Sequence, residues 1–117
     1  MRDFKKLQIW QLGMDIVNKV YDLVATLPKD ERFGMISQMS RSAISIPANI
    51  AEGSAKRSEK DYLRYVGIAE GSAFELETHS LIVQQRKWTD EQLIEELLNM
   101  IRREQSMLSK FIEKLEA

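Results

Sequence analysis

Five polar side chains recur along one stretch of the chain at the spacing of a helix face. Gln38, Ser42, Ser45, Asn49 and Glu52 follow one another at steps of 4, 3, 4 and 3 residues. Arg41 lies beside them, and Ser72, Glu75 and His79 repeat the spacing further on. Hydroxyls, amides, a carboxylate and a guanidinium in this order exchange hydrogen bonds; they contain no nucleophile with its base. The stripe reads either as a solvated face or as an internal or intersubunit network in which Arg41 pairs with Glu52 or Glu75, an arrangement that fixes register more than it adds stability. A second cluster, Lys56, Arg57, Lys60 and Arg64, stands against Glu59 and Asp61 and carries a local charge of +2. Its chemistry is contact with phosphate, or plain solubility. Arg86 with Lys87 and Arg102 with Arg103 are further basic pairs.

Reaction chemistry has little else to draw on. With 0 Cys and 1 His there is no thiolate nucleophile, no disulfide framework and no Cys-ligated metal. A di-metal carboxylate centre in a helical bundle needs Glu-x-x-His pairs, and the residue three before His79 is Leu76. Glu75 and His79, four apart, form a local helical pair or an oligomer contact. Neither a Gly-x-Ser-x-Gly elbow nor a phosphate-binding Gly-rich loop occurs. The expectation is a protein without catalytic residues, metal or cofactor. Its 17 basic and 18 acidic residues give a net charge of −1, so a local patch has to carry any nucleic-acid binding.

The elements that position these residues are helical. From about Leu7 to Leu27, Trp10, Met14, Val17, Val20, Tyr21, Val24 and Leu27 recur at helical steps, and a second row of Ile9, Leu12, Ile16 and Leu23 widens the stripe. A helix buried on two sides is implied, ending before Pro28. A second helix over roughly Glu31–Glu52 has Ile36, Met39, Ala43, Ile46 and Ile50 as its seam, Gly53 as its cap, and a kink near Ile46 caused by Pro47. A capping box of Ser58 and Asp61 opens a third helix whose register is Tyr62, Val66, Ala69, Ala73, Leu76, Ser80 and Val83, reaching about Arg86. Gly67, Gly71, Ser72 and Ala73 in its middle suggest that another backbone approaches there. Thr89 with Gln92 reads as a second capping box, and Ile94, Leu97, Ile101, Leu108 and Leu115 carry a fourth helix to the C-terminus.

The 117 residues fit one domain, an all-α, antiparallel, up-and-down four-helix bundle over residues 1–117. The wide stripe of the first helix and the small residues of the third point to a homo-oligomer. Neither a signal-peptide layout nor an apolar run of membrane-spanning length is present, so the expected location is the cytoplasm, with no membrane partner.

Several segments resemble one family throughout their length: Leu7–Trp10, the Tyr21 region, Pro28–Gly34, and above all Gln38–Gly53 (QMSRSAISIPANIAEG), then Ala69-Glu-Gly-Ser and Glu75-Leu-Glu. They are similar to the 23S rRNA intervening-sequence proteins, and the accessory proteins of diversity-generating retroelements look like relatives of the same fold. By position, Gln38, Arg41, Ser45, Asn49, Glu52 and Gly53 match the family signature. The resemblance implies a four-helix bundle without enzymatic activity that assembles into a ring, a homopentamer, and binds RNA or DNA. Lys56, Arg57, Lys60 and Arg64 are the expected contacts. The net charge of −1 departs from the strongly basic type. A protein-only adaptor, engaging a partner protein through the polar stripe and the ring mouth, is the alternative.

Overall fold

The computed structural model describes residues 2–117, and α1 (Gln8–Val24), α2 (Ser37–Ser54), α3 (Glu59–Arg86) and α4 (Glu91–Glu116) are its long helices; no strand occurs among the described residues. In α1 the second row, Ile9, Leu12, Ile16 and Leu23, is buried throughout, and of the first row Val20 and Val24 are buried whereas Met14 and Tyr21 are exposed. The helix stops at Val24, earlier than its apolar rhythm, and the Thr26 hydroxyl donates to the Leu23 carbonyl at 2.7 Å, occupying a backbone acceptor of the last turn.

Between α1 and α2 the chain makes a short 3-10 turn at Lys29–Glu31 and a wide π-turn at Arg32–Ile36. This irregularity lies before α2 and is separate from the one expected near Ile46. α2 passes Pro47 without a break, burying Met39, Ala43, Ile46 and Ile50. Because proline has no N–H, the Ala43 carbonyl loses its intrahelical donor there.

α3 follows its expected register throughout, with Tyr62, Val66, Ala69, Ala73, Leu76, Ser80 and Val83 all buried. Ser58 caps it, accepting from the Asp61 amide at 3.1 Å. Lys87 ends it in the left-handed region at φ 57°, which lets the Trp88 amide turn back to the Val83 carbonyl at 3.2 Å. The cap of α4 is Asp90 instead of Thr89. One Asp90 carboxylate oxygen accepts from the amides of Gln92 and Leu93 at 2.9 and 3.3 Å. Thr89 is thereby free to meet Thr26, hydroxyl to hydroxyl, at 2.6 Å.

Each helix packs on the next, and α4 closes on α1, within an envelope of 43 × 23 × 20 Å. The ion pair of Lys19 with Glu96 at 2.7 Å joins the later half of α1 to the start of α4. Tyr62 and Phe111 meet edge to face at 5.8 Å, joining the start of α3 to the end of α4. One end of the bundle thus gathers the N-terminal segment, the α2–α3 connection and the end of α4. Ile94, Leu97, Ile101 and Leu108 of α4 are buried as expected, Leu115 is half-buried, and one carboxyl, Glu104, is as fully enclosed as its apolar neighbours.

Gly53 lies within α2, not beyond it, and its φ is negative. A Cβ there would come 2.8 Å from Tyr65 Cβ and 3.3 Å from the Tyr62 carbonyl, so the close approach of α2 and α3 selects glycine. Glu52 and Ser54 on either side are thereby placed at the junction. G53A is expected to lower stability by roughly 1–3 kcal/mol, overpacking outweighing alanine's helix preference, and a lower urea midpoint would record it.

Candidate nucleic-acid interface and polar groove

The connection between α2 and α3 is organised by Arg2. Its guanidinium donates to the carbonyls of Ser54, at 3.4 Å, and Lys56, pairs with Glu59 at 2.6 Å, and lies 4.3 Å over the Tyr62 ring. It supplies donors to the carbonyls at the end of α2 and occupies one of the two carboxylates among the expected basic cluster. Burial raises the Tyr62 phenol and Arg2 opposes that shift.

Within this frame the Lys56 ammonium stands 5.0 Å and the Arg64 guanidinium 4.7 Å over the ring of Tyr65. Lys56 and Arg57 also line, with Arg2 and Phe4, a cleft of about 530 Å³. Lys60, in the first turn of α3, is exposed and stands outside that cleft. The structure therefore brings Lys56 and Arg57 together with Arg2 in the cleft, sets Arg64 with Lys56 about the Tyr65 ring, and leaves Lys60 exposed one turn before Arg64.

A further basic cleft was invisible along the chain. Lys6 from the N-terminal segment and Lys110 and Lys114 from α4 flank an opening of about 460 Å³ whose wall is apolar, Leu7, Ile9, Met107 and Phe111. None of these three lysines is in an ion pair among the described residues. They come from opposite ends of the sequence, and only the antiparallel return of α4 along α1 makes them neighbours. At the far end, Arg86 folds over Trp88 at 5.5 Å.

The polar stripe of α2 is partly an internal network. The Asn49 amide donates to the Ser45 carbonyl and hydroxyl at 2.8 Å each, and the Ser72 hydroxyl of α3 donates to Ser45 Oγ at 2.8 Å. Ser42 turns back to the Gln38 carbonyl at 3.0 Å. Arg41 pairs with neither Glu52 nor Glu75; it is exposed, lining with Gln38, Ser45 and Glu75 a shallow polar groove of about 280 Å³. Glu52 is exposed at the end of the stripe. Glu75 and His79 do approach, at 3.5 Å, a distance too long to satisfy the enclosed His79 Nε2 as a hydrogen bond. No group of three or more metal-binding side chains forms among the described residues, and no helix there is long and apolar enough to cross a membrane.

Two apolar surfaces flank the bundle. Between α1 and α2, Trp10, Met14, Val17, Tyr21, Ile44 and Ala48 line a shallow cleft of about 360 Å³. On α3, Ile68, Phe74 and Ile82 are exposed beside Gly67 and Gly71. A Cβ at either glycine would meet nothing within 4 Å. The backbone approach expected at these small residues therefore does not occur within one chain; Ser72 and Ala73 alone of that group face inward.

Residues 5–110 match the family model of the 23S rRNA-intervening sequence protein. A solved structure of a protein with unknown function from the S23 ribosomal protein family of Bacteroides thetaiotaomicron superposes with a TM-score of 0.83 at 23% sequence identity, over 89% of this chain and 97% of that one. That likeness bears on the fold. No curated protein matches the chain at a significant level.

Proposed function

Since the chain belongs to the 23S rRNA-intervening sequence protein family, we propose that it is a non-catalytic four-helix protein that assembles with copies of itself into a ring and binds RNA through the basic end of each copy. The observation that carries this reading is the convergence of cations from three separate segments at one end of the bundle. Arg2 and Lys6, Lys56 with Arg57 and Arg64, and Lys110 with Lys114 meet there, in a chain whose overall charge is only −1. Cations are gathered locally, so that end can hold phosphates although the whole has no excess of cations. The cation-flanked ring of Tyr65 and the Phe4 side of the cleft add surfaces on which an unpaired base stacks.

Self-assembly is supported by the two unlike apolar faces. A bulky one on α1 and α2 and a glycine-notched one on α3 suit head-to-tail contact between copies, and such contacts close into rings when the rotation allows. A ring repeats a weak basic end several times over, which multiplies affinity for one long RNA. G71A tests the α3 face. In an isolated copy the substitution stabilises by about 1 kcal/mol, because an exposed helical glycine meets nothing. If a second copy sits on this face, the new methyl group lowers the assembled mass seen by sedimentation while the thermal midpoint of the monomer rises; unchanged mass would remove α3 from the interface.

Fluorescence anisotropy with a structured RNA and a matched duplex DNA across a series of salt concentrations tests the binding. Affinity is expected to fall linearly on a log-log salt plot. Absence of binding at low salt would overturn the reading. The second reading, a protein adaptor, is favoured by the apolar cleft between α1 and α2, and recovery of one defined protein partner after nuclease treatment would support it.

A further inference from the structure

Glu104 lies in the middle of α4 with 0% of its surface accessible, and neither carboxyl oxygen accepts a hydrogen bond from any donor. The space it fills is provided by other helices. A Cβ on Gly13 of α1 would lie 3.2 Å from Glu104 Oε2, 3.4 Å from Ile46 Cγ2 and 3.5 Å from Pro47 Cβ, so the carboxyl meets α1 where α1 has no side chain, and the stretch of α2 around its proline packs on that same glycine. Pro47 leaves the Ala43 carbonyl, one turn earlier in α2, without its intrahelical donor. A buried acceptor lacking a donor and a buried carboxyl that accepts from none thus lie on adjoining parts of the same core, and a protonated carboxyl has the O–H that the carbonyl needs.

We propose that Glu104 is a proton-dependent latch: as a neutral acid it donates its hydroxyl proton to the Ala43 carbonyl freed by Pro47, tying α4 to α2 across the gap left by Gly13, and loss of the proton releases the tie. The surroundings favour the neutral form. Burial alone pushes the Glu104 carboxyl up to about 8. Gly13 of α1, which the carboxyl adjoins, is itself packed against Ile46 and Pro47 of α2, and α3 turns Ala69, Ala73 and Leu76 to the same core. The titratable groups of these helices lie elsewhere. Asp15 of α1 and Arg41 and Glu52 of α2 are exposed, and Lys19 is held by Glu96. On α3, Glu77 is held by Arg102 and Gln105, His79 adjoins the exposed Glu75, and Glu70 is half-buried.

The latch also has an outer side. Pro47 and Met14, the residue after Gly13, both line the apolar cleft between α1 and α2, so the backbone that the carboxyl touches from within is the backbone that presents that face outside.

The test follows the carboxyl directly. In the full chain carrying carboxyl-labelled glutamate, NMR and isotope-edited infrared spectroscopy are run from acid to alkaline pH on the wild type, E104Q and P47A. E104Q identifies the Glu104 signal by its disappearance. The expected result is one carboxyl that remains protonated and hydrogen-bonded at neutral pH in the wild type. In P47A the Ala43 carbonyl regains a backbone donor, and the midpoint of Glu104 falls by roughly half a unit to one unit, because a bond to its neutral form is gone. P47A removes a helix-breaking residue and so is expected to fold; E104Q, which keeps an N–H donor in the same place, provides the second variant. Because glutamine keeps the donor, its double-mutant cycle with P47A should show little coupling in stability, whereas Glu104→Met, which removes the donor, should be coupled to P47A by a factor of about 5–10. A Glu104 carboxyl that titrates with the surface glutamates overturns the proposal. So does a midpoint that P47A leaves in place.

Discussion

Raising the pH from 4.5 towards 8 is expected to weaken the fold steadily, and Glu104→Gln is expected to abolish most of that dependence. The folded carboxyl titrates at about 8 against a usual value of 4.5 because burial disfavours its charge. Between these values the folded protein holds a proton that the unfolded chain has released. Stability from this group is therefore fully present below about pH 4.5, declines as the pH rises, and is exhausted once the pH passes the folded midpoint. At roughly 1.4 kcal/mol per pH unit the loss is on the order of 3 kcal/mol by pH 7. Glutamine has nearly the same shape and never ionises. The variant should match the wild type near pH 4 and exceed it by roughly 3–4 kcal/mol at pH 7–8, a large share of the stability of a domain of this size. Urea unfolding of both proteins at five or six pH values measures it. Parallel curves would show that Glu104 is charged and solvated in the folded state.

The position of Glu104 was legible and its meaning was not. The apolar rhythm of α4, Ile94, Leu97, Ile101 and Leu108, leaves one step vacant, and Glu104 fills that step. A carboxylate there breaks the hydrophobic pattern only if it is charged. The space for its neutral form comes from Gly13, about ninety residues earlier, and nothing local to α4 reveals it. By contrast the register of α3 is legible residue by residue, because small and apolar groups at steps of three and four admit one buried face. Ser45, Asn49 and Ser72 do form the expected network, since four-residue spacing and helix packing suffice to place them. Arg41 and Glu52 do not pair. Eleven residues of helix separate their backbones by roughly 16 Å, too far for a pair within one chain. Thr89 and Asp90 are adjacent cap-forming residues, and the carboxylate, able to accept from two amides at once, displaces the hydroxyl.

Removing Lys56, Arg57, Lys60 and Arg64 together, each as alanine, is expected to reduce RNA affinity by roughly 100-fold or more at low salt and to flatten its salt dependence by two to four units of slope. The substitutions act on a surface and not on the core: these four side chains make no ion pair among the described residues. Lys56 and Arg64 contribute charge over Tyr65, so their loss also bares the ring, and a Y65A variant separates stacking from charge. Lys60 stands apart from the cleft, and restoring it alone should recover the least binding. A second variant, with Lys6, Lys110 and Lys114 neutralised, asks whether the whole end of the bundle is engaged. If RNA lies across both clefts, the two triple and quadruple variants weaken binding independently and their free energies add, since the lysine cleft and the α2–α3 connection share no ion pair. If only one cleft is used, one variant binds as the wild type does. The paired control is R86A with K87A at the far end, where an unchanged affinity is expected. Loss of binding there as strong as at the basic end would mean that phosphates are drawn to any cation on the ring, and the convergence of charge at one end would have no part in recognition.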